Sequence, residues 1–347
     1  MRSKRLKGIL IKAICLMIAA AVAGVFAAPE AVYAEAGAQG MVAEAAEADA
    51  QGAASEADAG EVPGGEEPRV PRISVAVEGD GLTVSWAAPG AAGVAGATGD
   101  AGAAKDASSY QVYRSYKSDS GFKLLQKGIK GLSYRDREVA SGKRAYYKVR
   151  AVMSDGTAVY YPEIASGIIY RVYIETGHGR DIKGVWDPGC IWKKYQEARL
   201  MIPICKATAK YLRQKGVYVY TDAFDGNNRN LKWTLKQLKK KDYSVLLNVH
   251  CDSRNAPKGT MPLYRYSKQK KLARCLNKGV HQYVKIKDRG LKKRKDLDTL
   301  NKTKKYCTAC LFEAGSIKRD NKILRKKYDA YGKGLAKGVC DYLGIDW

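Results

Sequence analysis

The chain predicts two folds in series: an all-β sandwich, then an α/β domain whose mostly parallel sheet is flanked by helices. Three observations carry this reading. Residues 69–169 hold short alternating runs of β-formers separated by turns rich in Gly, Asp and Ser. From residue 170 onward, apolar β-rich runs alternate with stretches of helical periodicity. Composition also changes between segments. Residues 171–347 carry 42 Lys plus Arg against 16 Asp plus Glu, a net +26 that equals the formal charge of the whole chain.

The amino-terminal elements come first. Arg2, Lys4, Arg5, Lys7 and Lys12 precede an apolar run over 13–28, and Val32-Tyr33-Ala34 follows as a small-residue cleavage signal. This pattern predicts a secretory signal peptide over 1–34. An uncleaved anchor over 6–28 competes with it. The short apolar core and the cleavage motif favour removal, which leaves no stable membrane span. Residues 35–68 contain nine carboxylates and no Lys or Arg, the composition of a disordered acidic linker.

In the β region, strands are expected over 72–77, 82–86, 110–114, 123–126, 145–152 and 158–161. Gly79-Asp80-Gly81 forms the first turn, and 89–109 forms a Gly- and Ala-rich inserted loop. Trp86, Tyr134-Arg135-Asp136 and Tyr147-Lys148-Val149-Arg150-Ala151 make residues 69–169 resemble a fibronectin type III domain. The corner tyrosine of that family would fall near Ala145, a departure. The resemblance implies a spacer or wall-contact module without chemistry of its own.

The α/β region, residues 170–347, opens with a strand over 172–175 that runs into Gly177-His178-Gly179. A helix over 196–215 follows, with Leu200, Ile204, Ala207, Tyr211 and Leu212 on one face and Gly216 as its cap. Further strands are expected over 217–220, 244–250, 260–266 and 306–313. Further helices are expected over 231–240, 268–284 and 322–343, with a basic loop over 288–305.

Charge and cysteine content narrow the partners. A strongly basic surface attracts polyanions. No zinc finger, homeodomain-like arm or RNA-binding aromatic motif is present, so nucleic acid is not the expected partner. For an exported chain the anionic cell envelope is. Seven cysteines follow the signal segment at irregular spacing, an odd number that fits free thiols rather than a disulfide framework. Cys307 and Cys310 form a CxxC within a strand, where residues three apart point to opposite faces, so a metal or redox role is not expected.

Chemistry gathers at strand ends. His178 and His250 each close a strand and Glu313 closes a third, and sites in open α/β sheets lie outside the carboxyl ends of the strands. Catalytic zinc takes three protein ligands, usually imidazoles and a carboxylate, and leaves one position open. The third ligand is Glu197, in the first turn of the next helix, or His281, well inside a later one.

These motifs, in this order, resemble the zinc-dependent N-acetylmuramoyl-L-alanine amidases. The matching features are Gly177-His178-Gly179, Glu197 with Gly216 ending its helix, and Asn248-Val249-His250-Cys251-Asp252. Gly259 with Tyr264, Arg289-Gly290, and Leu311-Phe312-Glu313-Ala314-Gly315-Ser316-Ile317 follow. The resemblance covers residues 170–347. It implies Zn2+ held by His178, Glu197 and His250, with Glu313 as general base and then acid for a zinc-activated water. The substrate it implies is peptidoglycan, cut between N-acetylmuramic acid and L-alanine by a secreted enzyme that also meets anionic wall polymers. Thr221-Asp222, Asp252 and Arg180 depart from the family pattern at positions that bear on substrate contacts. A catalytically inactive wall-binding or adhesion protein and a zinc peptidase cutting within the stem peptide are the alternatives.

Overall fold

Two antiparallel sheets open the described part of the chain. A computed structural model describes residues 73–89, 107–223 and 228–347. The expected signal peptide, the acidic linker and most of the inserted loop lie outside the described residues. The first sheet joins β1 (Ile73–Glu78), β2 (Gly81–Trp86) and β5 (Ser133–Asp136) in the order β1-β2-β5. The second contains β3 (Ala107–Ser115), β4 (Lys123–Ile129), β6 (Ala145–Met153), β7 (Ala158–Tyr160) and β8 (Ala165–Gly167). Its order is β4-β3-β6-β7, with β8 also on β6.

Alternation along β2, β3 and β6 sends Leu82, Val84, Tyr110, Val112, Tyr147 and Val149 into a single buried core. Asp136 is buried there and fully used. It accepts two bonds from Arg114 Nη1 at 3.0 and 2.7 Å, one from the Tyr147 hydroxyl at 2.8 Å and one from the Glu138 amide at 3.0 Å. Two strands, β5 and β8, were not expected from the sequence, because each is short and lacks a clear alternation. β3 begins at Ala107, inside the segment expected as loop, because pairing of Ala107 with Met153 of β6 extends it.

The remaining residues build a six-stranded sheet in the order β14-β9-β15-β18-β16-β17. Its members are β9 (Arg171–Thr176), β14 (Tyr218–Thr221), β15 (Val245–Asp252), β16 (Met261–Tyr264), β17 (Lys292–Lys293) and β18 (Thr308–Ser316). β14, β9, β15 and β18 are parallel, and β16 runs antiparallel to β18. Two small hairpins lie between β9 and the first helix. They pair β10 (Gly179–Arg180) with β11 (Trp186–Asp187) and β12 (Ile191–Trp192) with β13 (Tyr195–Gln196).

All six residues of β9 are buried, as expected for a parallel strand covered on both faces. One face packs on α2 (Ile202–Gln214), α4 (Ser267–Tyr283) and α7 (Tyr328–Leu343) through Val172, Ile174, Leu247, Val249, Cys310 and Phe312. The other packs on α3 (Leu231–Lys240) and α5 (Asp298–Lys302) through Tyr173, Leu246, Leu311, Leu238 and Leu300. Cys310 and Cys307 fall on these opposite faces, and all seven cysteines of the described residues are free.

Two expected helices are broken. Residues 196–215 divide into α1 (Glu197–Leu200) and α2, because Pro203 has no N–H to donate to the carbonyl of Arg199. Residues 322–343 divide into α6 (Asn321–Lys326) and α7 at Lys327, with no Gly or Pro to announce the break. The basic segment 288–305 is not all loop, since it contains β17 and α5. No helix among the described residues is long and apolar enough to cross a membrane.

The β module and the six-stranded sheet belong to one compact unit. Arg171, at the root of β9 and 1% exposed, donates to the Asp80 carbonyl at 3.0 and 2.8 Å and to the Val139 carbonyl at 2.9 Å. The Ser141 amide donates to Asp242 at 2.9 Å, and the Ser141 and Ser244 hydroxyls bond at 2.7 Å. The strand that delivers His178 is therefore anchored at its base by the preceding module.

Candidate metal centre

β9 and β15 are neighbours in parallel register, so their carboxyl ends bring His178 and His250 to one edge of the sheet. The two rings meet edge to face with centroids 5.0 Å apart. Such an approach needs space in the backbone. A Cβ on Gly177 would lie 2.5 Å from His250 Nδ1, and one on Gly189 would lie 2.4 Å from His178 Cδ2, so neither position admits a side chain. His178 itself sits at φ 65°, a strained conformation for a residue with a Cβ. Asn228, fully buried, holds it there by donating to the His178 carbonyl at 3.3 Å and to the Ala198 carbonyl at 3.1 Å.

Glu197 opens α1 and is 2% exposed. One carboxylate oxygen lies 2.8 Å from His250 Nδ1 and the other 3.3 Å from His178 Nε2. The same oxygens accept the amides of Cys251 at 3.1 Å and Cys190 at 2.9 Å. Burial pushes the Glu197 carboxyl up, but hydrogen bonds from both histidines outweigh it and hold the group well below the ordinary carboxylate range. The outer nitrogens of the rings are also taken. Asp187 lies 2.7 Å from His178 Nδ1, and Asn248 Oδ1 lies 2.9 Å from His250 Nε2. With a metal bound, the inward protons would be lost, and each outer nitrogen protonated toward these acceptors would leave the lone pairs of His178 Nε2 and His250 Nδ1 free for it beside Glu197.

One donor atom from each of His178, Glu197 and His250 lies within 4.8 Å of the others. Two imidazole nitrogens and a carboxylate oxygen converging at that spacing fit a zinc ion with a coordination position to spare. His281 does not join them. Its Nε2 bonds the Thr260 hydroxyl at 2.9 Å, a structural role on α4.

Glu313 stands directly across from His250 in the β15–β18 register. Its Oε2 is buried without a hydrogen-bond partner, and it makes no ion pair among the described residues. Burial pushes its carboxyl up to about 7, with His250 pulling the other way and Glu197 adding to the rise. Arg289 is already paired with Asp252 at 2.9 Å. Asp252, one of the departures from the family motif, thus has a definite partner. Asp222, another departure, accepts the amides of Thr176 at 3.0 Å and Arg229 at 2.8 Å, and ties β9 to the segment after β14.

Sequence reasoning singled out His178, Glu197, His250 and Glu313, named Asn248 only as part of the His250 motif, and did not single out Asp187 or Asn228. Asp187 ends β11, a two-residue strand too short to show a period. The position of Asn248, two residues before His250 on the same strand face, was the available signal.

A profile of the N-acetylmuramoyl-L-alanine amidases, Amidase_3, matches residues 172–343. Among solved structures, the chain is similar to the N-acetylmuramoyl-L-alanine amidase of Clostridium difficile 630. The identity is 27%, covering 51% of this chain and 97% of that one, with TM-score 0.45. It is also similar to the amidase AmiC2 of Nostoc punctiforme, at 24% identity over 50% and 97% of the two chains and TM-score 0.44. The catalytic domain of CwlV from Bacillus (Paenibacillus) polymyxa var. colistinus shows 22% identity over 51% and 100%, with TM-score 0.46. No curated protein matches. The profile runs through all four strand-end and helix-start positions described above. The carboxyl-terminal half of this chain belongs to the N-acetylmuramoyl-L-alanine amidase family, as an enzyme domain with an intact His–Glu–His metal site.

Proposed function

We propose that the protein is an exported zinc amidase that releases stem peptides from peptidoglycan by cutting between N-acetylmuramic acid and L-alanine. The observation that carries this reading is the convergence of His178, Glu197 and His250 with Glu313 in register beside them. His178, Glu197 and His250 would hold the zinc. Bound there, zinc supplies Lewis acidity that makes water a stronger acid and polarises the lactyl carbonyl.

The remaining steps fall to the chain's own groups. Glu313 Oε2, free of any other partner, accepts the proton of the attacking water. The carboxyl then passes that proton to the departing nitrogen of L-alanine. Water adds across the amide, leaving a lactyl carboxylate on the glycan and a free amine on the peptide. A carboxyl held near 7 suits both transfers, because neither protonation state is far from reach at neutral pH. Asp187 and Asn248, accepting from the outer ring nitrogens, would keep both imidazoles in the tautomers suited to holding zinc.

Export through residues 1–34 and an acidic tether over 35–68 are consistent with a wall substrate. We read residues 69–169 as a fibronectin type III-like spacer. Its two antiparallel sheets and the Trp86–Tyr110 ring contact at 5.3 Å support that reading.

Digestion of purified sacculi, followed by mass spectrometry of the soluble fraction, tests the assignment. Peptides with a free L-alanine amine and glycans with a free lactyl group are expected. Fragments cut only inside the stem peptide would identify a peptidase instead.

A further inference from the structure

A second basic feature lies apart from the metal centre. Between the segment after α4 and helix α6 there is a cavity of about 440 Å³. Seven of its ten lining residues are Lys or Arg, among them Lys285, Lys287, Lys322, Lys326 and Lys327. Its single carboxylate, Asp320, is buried and turned to the protein, accepting the amides of Gly259 at 3.0 Å and Ser316 at 2.8 Å.

None of the seven cations makes an ion pair among the described residues. Among the described residues of this half, few lysines and arginines form ion pairs, such as Lys241, Arg289, Arg294, Lys302 and Lys337, so what marks these seven cations is their gathering around one concavity. Like charges gathered around a concavity repel one another, and folding alone gains nothing from them. A concave low-dielectric wall also focuses their field on whatever enters.

We propose that this cavity binds a linear phosphodiester polymer, of the polyol-phosphate kind, and holds the enzyme on wall material that carries it. Three features select that class. All but one of the seven cations are lysines, point charges that neutralise phosphate oxygens from any direction and impose no fixed bidentate geometry, as suits a flexible polymer. The apolar lining is Ile286 and Ile323, with no aromatic ring on which a base could stack, which disfavours single-stranded nucleic acid. Seven charges in one cavity exceed what a single phosphate needs and match several consecutive repeats.

The cavity is also wired to the catalytic edge. The Lys287 carbonyl accepts the Thr260 amide, and the Thr260 carbonyl accepts the amide of Arg289, the partner of Asp252. Ser316, clamped by Asp320, ends the strand that carries Glu313. A polymer lodged here would lie on the flank of the cutting site. The choice of a wall polymer rests on the amidase reading; the chemistry of the cavity does not.

The test compares the full chain with two variants of equal charge. One combines Lys285→Gln, Lys322→Gln, Lys326→Gln and Lys327→Gln. The other combines Lys232→Gln, Lys236→Gln, Lys239→Gln and Lys240→Gln on α3. Binding to synthetic poly(glycerol phosphate) is measured beside poly-L-glutamate and a single-stranded oligonucleotide of matched charge. The cavity variant should lose at least about tenfold in affinity for the phosphodiester and the α3 variant less than about twofold. Equal losses in the two variants, or no loss in either, would overturn the proposal. So would binding of the oligonucleotide or polyglutamate as tight as that of the polyol phosphate. Hydrolysis of a soluble muropeptide is assayed on the same proteins and should be unchanged in both variants. If no protein hydrolyses it while the binding pattern holds, the amidase reading fails and the cavity assignment stands.

Discussion

Asp136 in the β module and Glu313 in the parallel sheet are both carboxylates carried inside the protein on a strand, and they are treated in opposite ways. Asp136 receives a guanidinium, a phenol and an amide, so its charge is answered from every side. Glu313 keeps one buried oxygen without a partner and is pushed up to about 7 by burial. Burying an unsatisfied carboxyl costs stability, and a fold tolerates that where the group has chemistry to perform. The difference separates a residue that holds a module together from one left without a partner, the group we propose moves a proton.

Exchanging each carboxyl for its amide should divide the two roles most sharply. Glu313→Gln is expected to lower amidase turnover by about 10²–10⁴-fold while metal content and thermal midpoint stay put. Asp136→Asn should do the reverse, costing about 3 kcal/mol by breaking a buried pair while the folded protein keeps its turnover. Thermal unfolding and a sacculus-release assay on both proteins read the contrast. A Glu313→Gln protein that unfolds but, when folded, cleaves normally would erase it.

Asp187 extends the comparison to the metal. It holds His178 at the outer ring nitrogen, so Asp187→Ala should weaken zinc binding by roughly 10–100-fold, as seen in competition with a chelating dye. The pH dependence sharpens it further. Glu313 must be ionised to take a proton, so kcat/KM should rise about tenfold per pH unit below its pKa and level off above about 7. In Glu313→Gln the residual rate should lack that limb.

The smallest expected effect concerns Glu175, buried beside Asp222 and pushed up to about 8 by burial and then by that neighbour's charge. Its folded pKa lies above the ordinary 4.5, so the folded state keeps a proton that the unfolded chain gives up. Stability from this group is therefore present at low pH and lost as pH rises through about 8. Glu175→Gln, neutral throughout, should raise the thermal midpoint by a few degrees near pH 9 and by almost nothing near pH 4.5. A midpoint lowered at both pH values would show that Glu175 is a satisfied, Asp136-like group.

Much of this was legible in the residues. His178, His250 and Glu313 each close an apolar run of β-formers, and Glu197 opens a periodic stretch, so their meeting followed from the topology of a parallel sheet. The break at Met201 was announced by Pro203, although periodicity ran straight through it. Asp187, Asn228 and the cavity around Lys285 and Lys322 were not legible. They depend on how irregular segments fold back, and neither a period of two nor one of 3.6 marks such contacts. Likewise Arg171 reads as one more basic residue, yet it is among the most buried side chains and joins the two sheets.

The convergence of His178, Glu197 and His250 on one ion is tested most directly by the metal content of Glu197→Ala beside wild type, both purified from zinc-supplemented cells and checked for native fold. About one zinc per wild-type chain and almost none in the folded variant are expected. A folded Glu197→Ala protein that retains its full zinc would contradict the site as described.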